Sequence, residues 1–106
     1  MDVQLKRGLL EVCVLAAIKD ESSYGYKIIK DIKPYVSLSE STLYPILRRL
    51  EENEMLTVET AIHNGRVRKY YKITQKGLAK LDGFKDEWKE IFSIYKFITG
   101  EDIKYE

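Results

Sequence analysis

Asn64-Gly65 lies between two runs of alternating polarity, and no other feature limits the possible folds of this chain so strongly. Residues 56–62 alternate Leu, Val, Thr, Ile against Thr, Glu, Ala; residues 67–73 alternate Val, Lys, Tyr, Ile against Arg, Tyr, Lys. A period of two is the signature of a strand. Asn and Gly both tolerate the positive φ that a tight two-residue hairpin turn demands. The segment therefore predicts a two-stranded ribbon. On its second strand Arg66, Arg68, Tyr70 and Lys72 share one face, while Lys69 lies opposite among Val67, Tyr71 and Ile73.

Upstream of the hairpin the periodicity is helical. Leu5, Leu9, Val12, Cys13, Ala16 and Ala17 recur at helical spacing, so residues 1–19 are expected to be mostly helix. Lys6 and Arg7 before an apolar run resemble the start of a signal peptide, but Glu11 interrupts the run, no small-residue cleavage pattern follows, and it is too short to span a bilayer. Ser22 or Ser23 can cap a second helix over 24–32, with Ile28 and Ile32 inward and Lys33-Pro34 as its stop.

A third helix falls within residues 36–52 and has two unlike faces. Leu43, Ile46, Leu47 and Leu50 fall on one side; Ser41, Pro45, Arg48, Arg49 and Glu52 fall on the other, with Thr42 and Tyr44 at the borders. Ser37, Ser39 and Ser41 are all possible N-caps, and Ser37 with Glu40 has capping-box spacing. Pro45 removes an intrahelical donor and restricts Tyr44 before it, which favours a start near Ser39 or Ser41. Two helices joined by a turn, the second polar on its outer face, form a helix-turn-helix. A cationic ribbon directly after it makes a winged helix.

Thr74 is placed to cap a last helix over residues 75–99. Leu81, Trp88 and Tyr95 occupy one heptad set and Phe84, Ile91 and Ile98 the other, with Phe92, Ile94 and Phe97 adding apolar surface. At 1.5 Å per residue such a helix is roughly 37 Å long, more than a small three-helix core can cover. It is expected to pack on another subunit, with Leu5 and Leu9 of the first helix contributing to that interface. The fold class is thus mainly α with a two-stranded β-hairpin: a winged helix-turn-helix over residues 1–74 and a dimerisation helix with a polar tail over 75–106.

Composition narrows the function. With 106 residues, 44% hydrophobic and 33% charged, the chain should fold as one soluble domain. Its net charge of +1 hides a segregation: residues 61–80 carry six basic and no acidic side chains, whereas residues 81–106 carry four basic and seven acidic. That pattern offers a cationic surface to an anionic partner. A single cysteine, Cys13, excludes an internal disulfide and fits a reducing, cytoplasmic setting; it reads as a buried small apolar residue. His63 is the only histidine and reads as a solvated hairpin residue, so no metal site is expected. No phosphate loop or nucleophile-base pair is visible, so neither an enzyme nor a cofactor is expected.

GLLEVCVLAAI, SYGYKIIKDI, STLYPILRRLEE and GRVRKYYKITQKG, in this order over nearly the whole chain, resemble the PadR family of bacterial transcriptional regulators, specifically its short members with one C-terminal helix. The resemblance implies a dimeric winged-helix DNA binder, usually a repressor and often released by a phenolic or drug-like small molecule. Two departures stand out. The family usually has Gly before TLYP, where this chain has Ser41, and Gly after the third helix, where it reads Asn53-Glu54. Asn53 is expected to take the left-handed C-cap.

These readings assign contacts to double-stranded DNA, on a pseudo-palindromic operator, to three sets of residues. They are Ser39, Ser41, Thr42, Tyr44, Pro45, Arg48 and Arg49 of the third helix; Tyr24 and Lys27 of the second; and Asn64, Arg66, Arg68 and Lys69 of the wing. Arg49 could instead pair with Glu52 on the helix surface. Trp88 reads as dimer core or, with Phe92 and Tyr95, as part of an aromatic effector cavity, which some family members have between their last helices.

Overall fold

A computed structural model describes residues 1–101; the end of the polar tail lies outside the described residues. The order of elements is α1 (Val3–Ala17), α2 (Gly25–Ile32), α3 (Glu40–Glu52), β1 (Leu56–His63), β2 (Arg66–Ile73) and α4 (Gln75–Thr99). This is the winged helix with a long final helix that the periodicities require.

Asp2 caps α1 by accepting from the amides of Gln4 and Leu5. The stripe of Leu5 and Leu9, expected to meet another subunit, is not the one that α1 buries in the core. Leu10, Val14, Leu15 and Ile18 enter the core, each 3% exposed or less, whereas Leu5 is 53% exposed. At 100° per residue the two stripes lie on opposite sides of α1, which is apolar nearly all round, so periodicity could not tell which side the core takes. The other core residues come from Ile28 and Ile32, from Leu43, Ile46, Leu47 and Leu50 of α3, and from Leu38, Leu56 and Tyr71.

Neither Ser22 nor Ser23 caps α2; its N-cap is Tyr24, without a side-chain cap bond. Ser23 is instead buried and exchanges two backbone hydrogen bonds with Tyr71 of β2, at 3.0 and 2.7 Å. The wing is thereby tied to the start of α2.

Ser39 is the N-cap of α3, its hydroxyl accepting from the amide of Thr42, so the Ser37 capping box does not form. Pro45 lies one turn inside. At the far end the left-handed residue is Glu54 (φ 60), not Asn53 (φ −87). The amide of Met55 bonds the carbonyl of Leu50 and that of Glu54 bonds Glu51, which is the Schellman arrangement with Asn53 as C-cap and Glu54 as the residue after it. The helix runs one residue further than the Asn53 expectation supposed.

Asn64 and Gly65 both have positive φ, 52° and 77°, and the strands pair in register from Leu56–Ile73 to His63–Arg66. Thr74 caps α4 through the amide of Gly77 and donates its own hydroxyl to the carbonyl of Glu54. Gly77 is buried there, fixing the direction in which α4 leaves the wing. α4 packs on α1 and β2, but only its first part is covered: Leu81 sits against the core, while Ile94, Phe97 and Ile98 are 52%, 90% and 73% exposed. The molecule is consequently elongated, 57 × 26 × 26 Å.

Candidate nucleic-acid interface

The buried leucines of α3 turn its opposite side outward, and Ser41, Thr42, Tyr44, Pro45 and Arg48 are all exposed there. At its start the Ser39 hydroxyl lies 3.0 Å from that of Ser41 and 3.1 Å from that of Thr42. Three hydroxyls beside free helix N–H groups form a donor-rich end suited to an anion's oxygens. Tyr44 leans over α2, where its hydroxyl would come within 2.6 Å of a Cβ built on Gly25. Only glycine at 25 leaves room for the tyrosine in this position.

The two arginines of α3 part company. Arg48 lines a cleft of about 160 Å³ shared with Tyr44, Glu51 and Lys69 of the wing. Arg49 points the other way and pairs with Glu11 of α1 at 3.3 Å, rather than with Glu52.

On the wing, Asn64, Arg66 and Lys69 are exposed at or near the tip. Arg68 is held instead. Its guanidinium lies 3.6 Å from the centroid of the Tyr24 ring, and Nε and Nη2 donate to the Tyr70 hydroxyl at 3.0 and 2.6 Å. Tyr24 and Tyr70 also meet edge to face at 5.8 Å. A cation–π contact and two hydrogen bonds fix a side chain that otherwise has many rotamers, and they bind α2 to β2. Tyr70 was not among the expected site residues, although its place two residues after Arg68, on the same strand face, was a usable signal. Lys27 forms an exposed hydrogen-bonded ion pair with Asp31 at 3.0 Å, which raises its pKa.

Along α4, Phe84 stacks on Trp88 (6.0 Å between centroids) and Trp88 meets Phe92 edge to face at 4.8 Å. Trp88, Ile91 and Tyr95 are 38%, 41% and 37% exposed. Leu81, by contrast, spends part of its surface on the chain's own core. Leu5 stays exposed and Leu9 half-buried on α1. Among the described residues no His, Cys, Asp and Glu cluster could hold a metal ion, and no helix is long and apolar enough to cross a membrane.

The model of the transcriptional regulator PadR-like family matches residues 14–83. The chain belongs to the PadR-like family of transcriptional regulators. This family consists of regulators rather than enzymes. A PadR-like transcription factor of Bacteroides fragilis is 35% identical and superposes with a TM-score of 0.79, over 91% of this chain and 95% of that one. PadR of Bacillus subtilis, solved in complex with operator DNA, is 25% identical with a TM-score of 0.68, over 72% of this chain and 45% of that longer one. Transcriptional regulator Rv3488 of Mycobacterium tuberculosis is 29% identical over 74% of each chain. The PadR-like core matched by the family model runs from α1 through the wing into the first part of α4.

Proposed function

We propose that this PadR-like regulator is a cytoplasmic homodimeric repressor that binds a pseudo-palindromic operator in double-stranded DNA. What carries the reading is the polar outer side of α3 facing a cationic wing. Tyr44 and Lys69 line both the cleft that holds Arg48 and the one that holds Tyr24 and Arg68, the hydroxyl-rich start of α3 stands on the same helix, and residues 61–80 bring six positive charges and no negative one, although Glu40 and Glu51 also border these clefts. The B. subtilis relative bound to operator DNA supports it. In this reading residues 1–74 contact DNA and residues 75–106 form the dimer. Ser39, Ser41, Thr42, Tyr44, Pro45 and Arg48 enter the major groove. Asn64, Arg66, Arg68 and Lys69, with Tyr24 and Lys27, hold the backbone, and Arg49 takes a lesser part because Glu11 engages it. Leu5, Leu9, Phe84, Trp88, Ile91, Tyr95 and Ile98 cover each other across the dimer, which sets half-sites about one helical turn apart.

Footprinting of DNA next to the protein's own gene tests the proposal, together with light scattering of the parent and of Ile91→Glu. A protected palindrome and a parent dimer that Ile91→Glu dissociates are expected. A parent that shifts no DNA selectively would leave a winged helix used only to bind proteins. Affinity should also fall by a log-log slope of about 0.9 per phosphate neutralised as salt rises.

A planar aromatic effector is part of the same proposal, supported by the Phe84–Trp88–Phe92 ladder with Tyr95 partly exposed nearby. Such a compound should quench Trp88 fluorescence and release DNA; no response across a broad panel removes this element alone.

A further inference from the structure

The start of α1 stands beside α3 on the side away from the wing, and a cleft of about 470 Å³ opens between them. Lys6, Arg7, Thr42, Pro45 and Arg49 line it, whereas Arg48 and Lys69 line the wing-side cleft. Glu40 and Glu51 border the clefts on the wing side; no carboxylate lines this one. Glu11 engages Arg49, but Lys6 and Arg7 enter no ion pair among the described residues, and Arg7 is exposed. The Asp2 carboxylate, close by in sequence, accepts from the amides of Gln4 and Leu5. Segment charge hides this pair. Residues 1–60 carry eight basic and ten acidic side chains, so only the fold brings two uncompensated cations beside the polar side of α3.

We infer that Lys6 and Arg7 grip DNA phosphates on the strand that lies across the major groove from the one the wing holds. The inference rests on the DNA-binding reading and adds a second hold to it. A helix with its side chains is roughly 10–12 Å across and the major groove about 12 Å wide, so a helix lying in the groove fills it from wall to wall. Each wall is a sugar-phosphate backbone. Whatever flanks the helix therefore meets phosphates, and α3 is flanked by the wing on one side and by the start of α1 on the other. Cations on one flank alone would pull the helix toward one wall; cations on both hold it centred over the base edges. Lys6 and Arg7 would reach phosphate oxygens through charge-assisted hydrogen bonds and read no sequence. Each phosphate neutralised releases counterions, which the salt dependence of binding measures.

Fluorescence anisotropy of labelled duplexes over a salt series tests the inference, with the footprinted operator and an unrelated sequence. Lys6→Gln/Arg7→Gln should lower affinity for both duplexes by about tenfold at low salt and reduce the log-log slope by roughly 1.8 per subunit. Lys19→Gln/Lys85→Gln removes the same charge from exposed positions away from this cleft and should leave the slope unchanged. In a hydroxyl-radical footprint the Lys6/Arg7 double variant should lose protection in one patch per half-site, on the strand opposite the patch lost in Arg66→Gln. An unchanged melting curve shows that the double variant is folded; where it melts lower, the single variants serve, each carrying about half of the slope change. Four results overturn the inference: a slope unchanged by the double substitution, an equal fall in the control, loss of affinity for the operator alone, or a lost patch on the same strand as that of Arg66→Gln. If the parent binds operator and the double variant matches it, only the second hold falls. A parent that binds no duplex at any salt removes the DNA-binding reading and the hold together.

Discussion

Gly77→Ala sets two simple rules against each other. Gly77 is in the first turn of α4, and helix propensity alone favours alanine there by up to about 1 kcal/mol. The surroundings oppose it. A Cβ at this position would collide with the backbone carbonyl oxygen of Met55 and come within 2.7 Å of Ile73 Cγ1. The Met55 carbonyl cannot swing aside, because it already accepts from the Thr74 amide at 3.1 Å, and Thr74 in turn caps the helix and bonds Glu54. Overpacking against such fixed neighbours costs about 1–3 kcal/mol, so a net loss near 1–2 kcal/mol is expected. For a chain of this size the melting midpoint should drop by roughly 4–8 °C per kcal/mol. Thermal unfolding by circular dichroism measures it, at one protein concentration because association raises the apparent midpoint. Gly83→Ala, on the same helix with no neighbour near its Cβ position, is the control and should melt at or above the parent. A Gly77→Ala protein that also melts at or above the parent would refute the reasoning.

Other expectations follow from the same contacts. Glu54→Gly should stabilise by roughly 1 kcal/mol in urea titration, because Glu54 is the residue held at φ 60; an equal gain from Asn53→Gly instead would contradict the cap assignment. Tyr70→Phe removes the acceptor of two Arg68 donors and should cost about 1 kcal/mol of stability while weakening DNA binding, and an unaltered protein would show that the clamp holds nothing. Burial raises the Cys13 thiol pKa. The folded state then keeps its proton longer than the unfolded chain does, so this contribution to stability is full below the unfolded value and lost as pH rises through the folded one. Cys13, half-buried rather than fully buried, should accordingly react with a disulfide reagent more slowly at pH 8 in native protein than in urea, and equal rates would contradict even that partial burial.

The local elements were legible because their causes are local. Alternation around Asn64-Gly65 determined the wing and its turn, Thr74 determined the start of α4, and the leucine and isoleucine positions of α3 determined which side faces inward. Motif order was enough to point to the family before any coordinates. What the local pattern left open has a different origin. α1 offers apolar residues on both faces, so its core stripe depends on which neighbours arrive. Ser23 could cap a helix or extend the sheet, and the proximity of Tyr71 chose the second. Arg49 had Glu52 within reach along its helix, but Glu11 came closer through space. Sequence alone set what each segment could be, because hydrophobic period, turn chemistry and capping act within a few residues. Tertiary structure decided the partners of Arg49, Arg68, Ser23 and Gly77, because each is met by a residue distant along the chain that only the packed fold brings near.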